Sequence, residues 1–136
     1  MGAGSLAQVN PQGRGPFSVF ATLYVIAMML ELGERWHSPW FTGAFVCAAA
    51  AAIFTGITRV KFVLLLAAAT VYLAFYEFPE VANHANLMLL LNIAMIGMFT
   101  VSLVRRRRCA DDDYAAIAPM LRISLMLIYA LAGFHK

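Results

Sequence analysis

Apolar residues dominate the chain in long runs, and short polar stretches separate them. Five runs stand out: about 17–33, 40–57, 61–78, 85–104 and 115–134. None alternates with the period of two that marks a half-buried strand, and each approaches the 17–25 residues that a helix needs to cross a bilayer. The pattern predicts an all-α, polytopic membrane protein, a single bundle of five transmembrane helices over residues 17–136. Residues 1–16, with "QVNPQGRGP", are polar and rich in Gly and Pro, and read as a flexible tail.

Composition agrees with this. Of 136 residues, 62% are hydrophobic and 12% charged, about half the charged share of an ordinary soluble domain. The opening "MGAGSLA" has no basic region followed by a cleavage site, and Leu6 occupies the place where a myristoylation signal needs Ser or Thr. The first apolar run is therefore expected to act as the insertion signal and to stay in the protein. The basic residues set the orientation. Arg14, Arg59, Lys61 and Arg105 to Arg108 fall on one side, against Arg35 and Lys136 on the other. The positive-inside rule then predicts a cytoplasmic N-terminus and an outside C-terminus. A bacterial inner membrane is the expected location. All three histidines, His37, His84 and His135, would lie on the outer side.

Few residues carry chemistry. Cys47 and Cys109 are far apart and match no zinc or redox spacing, so neither a disulfide nor a metal site is expected. "RRRRCADDD" concentrates charge. Its arginines, Arg105, Arg106, Arg107 and Arg108, read as a topology anchor that contacts anionic lipid or a partner. Asp113 is placed to cap the fifth helix, and Asp111 and Asp112 favour its positive dipole end. The block is half neutralised and lacks aromatic platforms, which argues against nucleic-acid binding. In the second helix, Gly43, Cys47 and Ala51 form a small-residue stripe suited to close helix packing, within the chain or against a partner.

Deeper polar residues are rarer still. Asn92 shares a stripe with Met88, Met95 and Phe99, and its amide should face other helices because an unpaired amide in hydrocarbon is costly. Arg122 lies two turns into the fifth run, ~10 Å from its start. It is expected to snorkel to the interface, or else to line a ligand site. Arg122, Tyr129 and Lys136 recur every seven residues and share a helix face.

Two motifs bear a resemblance. "ANHANL" opens the fourth helix and "IYALAGFHK" closes the fifth. Asn83 with His84, and Tyr129, Ala132, Gly133 and Lys136, resemble the horizontally transferred transmembrane domain, the membrane part of the vitamin K-dependent gamma-glutamyl carboxylase family. The helix order is similar too, with two helices joined by a very short turn, here "TRVK". The resemblance implies that Lys136 is a catalytic base acting on a quinol, that His84 belongs to the same outward-facing site, and that Asn83 and His135 lie near it.

Family members continue with further helices and, in the carboxylases, a large non-cytoplasmic region. Lys136 at a chain end would carry a carboxylate that favours its ammonium form, which opposes base catalysis. The sequence therefore points first to a non-catalytic or partner-dependent subunit of a larger membrane assembly, with membrane lipids and other membrane proteins as partners. It would carry no certain cofactor beyond a lipid or quinone groove. The other reading is a quinol-dependent carboxylase-like enzyme, completed by another chain or by more of this one. The scarcity of deep ionisable groups argues against a channel or transporter.

Overall fold

A computed structural model describes residues 15–33, 38–77, 83–105 and 109–134, with the side chains of 77, 83–85, 125 and 127–134 excepted. Those residues form five helices and, among them, no strand: α1 (Pro16–Gly33), α2 (Pro39–Phe54), α3 (Arg59–Tyr72), α4 (Asn83–Arg105) and α5 (Ala110–Phe134). A π-helical segment, Leu73–Glu77, prolongs α3. Three stretches are long and apolar enough to cross a membrane: Pro16–Gly33, Arg59–Tyr76 and Asn86–Arg105. Helix α2 is apolar but shorter, at 16 residues. Leu23, Leu30, Leu64, Leu90 and Ile93 all point outward. That exterior suits hydrocarbon, whereas a soluble protein seldom exposes so continuous an apolar surface.

Local chemistry explains the boundaries. Proline at the first position of α1 and of α2 costs no helical hydrogen bond and presets φ. Helix α2 ends three residues before its apolar run does. Gly56 there takes φ +81°, in the left-handed region that terminates helices. Ile57 follows outside the helix yet is buried, so its apolarity serves the core. Thr58 then caps α3 by accepting from the Lys61 backbone N–H at 3.4 Å. The Lys61 ammonium turns back to Thr55 Oγ1 at 2.8 Å and to the Gly56 carbonyl at 3.0 Å. A cation thus sits on the carbonyl end of α2, where the helix dipole favours it.

Helix α5 starts five residues earlier than its apolar run. Asp113 is accordingly not the cap of the fifth helix. Cys109 stands in the cap position, and its N–H donates to Asp112 Oδ2 at 3.2 Å, as a residue three places into a helix does in a capping box. Asp113 instead points inward and is 3% exposed.

Helix α3 holds the bundle together, touching α1, α2 and α4. Its hub is Phe62, fully buried, with Phe17 at 5.7 Å, Phe20 at 5.9 Å, Tyr24 at 6.1 Å and Phe99 at 5.6 Å between ring centroids. Most of these pairs are edge-on, the arrangement that ring quadrupoles prefer. Farther along, Phe41 of α2 stacks on Tyr72 at 4.7 Å, and Tyr72 stacks on Tyr76 at 4.9 Å within the π-helical segment.

Candidate functional site

Three polar or open features stand out on this frame, and the first is a clasp at one end. The Arg59 guanidinium of α3 donates to Asp113 Oδ2 at 3.1 Å and to Ser102 Oγ at 3.3 Å. The Ser102 hydroxyl of α4 donates to Asp113 Oδ1 at 2.7 Å. Beside it, the Phe17 N–H at the start of α1 donates to Asp111 Oδ1 at 2.9 Å. The three consecutive acids of α5 thus share no partner: Asp111 takes Phe17, Asp112 takes Cys109, and Asp113 takes Arg59 and Ser102. The clasp gathers the starts of α1, α3 and α5 and the end of α4 at one end of the bundle, so helices consecutive along the chain run in alternate directions.

The second feature is a buried pair at mid-depth. The Tyr24 hydroxyl donates to Asn92 Oδ1 at 2.6 Å. Asn92 is fully buried, on the inner face of α4 that also carries Met95 and Phe99, and its Nδ2 has no hydrogen-bond partner among the described residues. The third is an open groove of about 620 Å³ along α1. Pro16, Val19, Phe20, Leu23, Tyr24 and Ala27 wall it, and Tyr114 of α5 closes one side, its ring tilted against Phe20 at 5.0 Å. Its size suits a small ligand or a lipid tail. It is apolar except for the two phenols, and one of these is already hydrogen-bonded to Asn92.

The sequence candidates are distributed as follows. Asn83 and His84 open α4, and Tyr129 lies in the second half of α5, but the side chains of all three fall outside the described ones, as do residues His135 and Lys136 entirely. Helices α4 and α5 are antiparallel neighbours, so the start of the first and the finish of the second belong to the same end of their hairpin. Arg122 faces outward, away from the groove and from Asn92. Because α5 begins at Ala110, Arg122 is twelve residues into the helix, ~18 Å from its start rather than ~10 Å. Gly43, Cys47 and Ala51 are exposed on α2, and both cysteines are free thiols. A methyl group added at Gly43 would meet nothing within 4 Å. The small-residue stripe therefore packs against no other helix of this chain among the described residues. Arg105 is exposed at the end of α4, and Arg106 to Arg108 lie outside the described residues.

Sequence reasoning missed Tyr24, Arg59, Ser102 and Phe62 as organising residues. Only Arg59 and Asp113 gave a signal, as opposite charges at helix ends on one side of the membrane. No group of three His, Cys, Asp or Glu is placed to hold a metal among the described residues. No family model, curated protein or solved structure matches the chain. The resemblance to the carboxylase membrane domain thus rests on the motif residues themselves.

Proposed function

We propose that the chain is a five-span subunit of a larger bacterial inner-membrane assembly, with its N-terminus cytoplasmic, its C-terminus outside, and a lipid or quinone tail held along α1. The alternating helix directions support the five spans. The clasp end carries Arg59, Lys61 and Arg105, and these basic residues support its cytoplasmic placement. One observation carries the subunit reading: the α2 flank of Gly43, Cys47 and Ala51 is open. In lipid, small-residue stripes let helix backbones approach closely, and this stripe has no such neighbour among the described residues. Native mass spectrometry of material extracted from its own membrane tests the reading. Stoichiometric partner chains are expected. A lone, stable monomer would overturn it.

The second reading, a quinol-dependent carboxylase-like enzyme with Lys136 as base and His84 beside it, is favoured by the α4–α5 hairpin. Its antiparallel course brings the two motif-bearing segments to one end of the bundle. Under this reading Lys136→Ala abolishes a quinol-dependent activity at unchanged expression, and unchanged turnover in that variant removes it.

A further inference from the structure

Helix α5 packs on the bundle through a narrow stripe. Asp113, Ile117 and Leu121 are buried at four-residue spacing, while Ala115, Ala116, Pro119, Arg122, Ile123 and Met126 are exposed. The outward face is therefore a flat strip of small and apolar residues interrupted by one guanidinium. Arg122 lies nine residues beyond Asp113 along α5, or ~14 Å at 1.5 Å per residue. Half the hydrocarbon thickness is ~15 Å, so with Asp113 at the interface Arg122 sits close to the midplane. Its three-methylene stem leans back toward the helix start and recovers only part of that depth. Among the described residues it makes no hydrogen bond or ion pair.

Such a residue breaks a strong regularity. Charged groups inside membranes face a bundle interior or a watery cavity and pair with one another, because lipid does not solvate them. The same face also lacks one ordinary helical donor. Pro119 lies inside α5 and has no N–H, so the carbonyl of Ala115 loses its ordinary helical donor. In lipid, neighbouring helices commonly satisfy groups freed in this way.

We infer that the outward face of α5 docks a transmembrane helix of a different chain that carries an Asp or Glu near the bilayer midplane, paired with Arg122. Charge complementarity selects that occupant over a purely apolar helix. A second copy of this chain is a poorer fit. Its acids are Glu31, Glu34, Glu77, Glu80 and Asp111 to Asp113. Three of these form the clasp end. Of the rest, Glu31 lies in the last turn of α1 and already has an interaction of its own. The inference rests on the subunit reading and adds the chemistry of the partner to it.

The test compares the full-length protein with Arg122→Leu and Arg122→Lys, each extracted in mild detergent from its own membrane and weighed by native mass spectrometry. Circular dichroism confirms that each variant is folded. The expected result is a stoichiometric partner with an acidic residue inside a transmembrane segment. Arg122→Leu lowers its recovery at least tenfold, and Arg122→Lys keeps most of it. Arg122→Glu combined with Lys in place of the partner's acid restores binding. Undiminished partner recovery with Arg122→Leu overturns the pairing but leaves the subunit reading standing. So does a partner without an intramembrane acid, or a homodimer alone. A wild-type protein recovered as a bare monomer overturns both.

Discussion

Asp113 offers the most direct test of how the bundle is held. Its carboxylate is 3% exposed and accepts from both the Arg59 guanidinium and the Ser102 hydroxyl, and Arg59 is 24% exposed. Asp113→Ala deletes a charge-assisted hydrogen bond of about 1.5–3 kcal/mol and a neutral one of about 1 kcal/mol. It also leaves Arg59 without that carboxylate. Breaking a fully buried pair costs about 3–5 kcal/mol, and the partial exposure of Arg59 puts the expectation at the lower end, about 3 kcal/mol. Asp113→Asn keeps the shape and an acceptor for Ser102, so about 1–2 kcal/mol is expected. Replacing both charges, Arg59→Met with Asp113→Leu, should cost about 1 kcal/mol or less, because no charge is then left to bury.

Unfolding in mixed micelles, followed by circular dichroism, measures the parent and these variants, and Arg59→Met and Asp113→Leu, each alone, complete the double-mutant cycle. A coupling energy of about 1 kcal/mol or more is expected between the two sites. The reasoning fails if Asp113→Ala lies within about 0.5 kcal/mol of the parent, or if the paired replacement is as unstable as Asp113→Ala.

Four further outcomes follow from the same geometry. Tyr24→Phe should destabilise by about 0.6–1.7 kcal/mol, the range for interhelical hydrogen bonds in membranes. Tyr24→Phe combined with Asn92→Leu should be neutral or stabilising relative to Tyr24→Phe alone, since it removes both partners and the unpartnered Nδ2; thermal denaturation in detergent that finds the double variant less stable than Tyr24→Phe would contradict this. Gly15→Val should cost about 1 kcal/mol, because a Cβ there collides with the Asp111 carboxylate and displaces it from the Phe17 N–H; equal stability in the same assay counts against it. Ala27→Trp should fill the groove along α1 and strip lipid adducts from the native mass spectrum without changing helicity; undiminished adducts would place the lipid elsewhere.

Hydropathy located all five helices because in lipid the apolar run and the helix nearly coincide. It failed where they part. Ile57 is apolar but lies beyond a helix that Gly56 has already ended, and Asp111 to Asp113 are polar yet lie within the first turn of α5. The polar contacts were hidden for a different reason. Tyr24 and Asn92 are 68 residues apart, and Arg59 and Asp113 are 54 apart, so no window along the chain contains either pair. Asn92 could be read as inward-facing from the cost of an unpaired amide in hydrocarbon, but that argument does not supply the name of its partner. The outward turn of Arg122 depends on which stripe of α5 packs, and that stripe is set by buried Asp113, a residue that sequence reading had assigned to a cap.

These placements bear on how the two functional readings should be separated. The polar contacts are concentrated in the clasp and in Tyr24–Asn92, while the flanks of α2 and α5 stay open. Asn83, His84 and Tyr129 lie elsewhere, at the start of α4 and in the second half of α5. A partner seated on α5 could supply the enclosure that five helices alone do not give a quinol and a glutamyl chain. Docking and chemistry then become successive requirements, and inactivity of the isolated chain is expected under both readings. The informative comparison is made in the assembled complex. Lys136→Ala should abolish turnover with partners still bound if the chain is catalytic, whereas Arg122→Leu should remove the partners and any activity together. Full turnover in a Lys136→Ala complex would mean that any chemistry belongs to the partner and that this chain serves as its membrane scaffold.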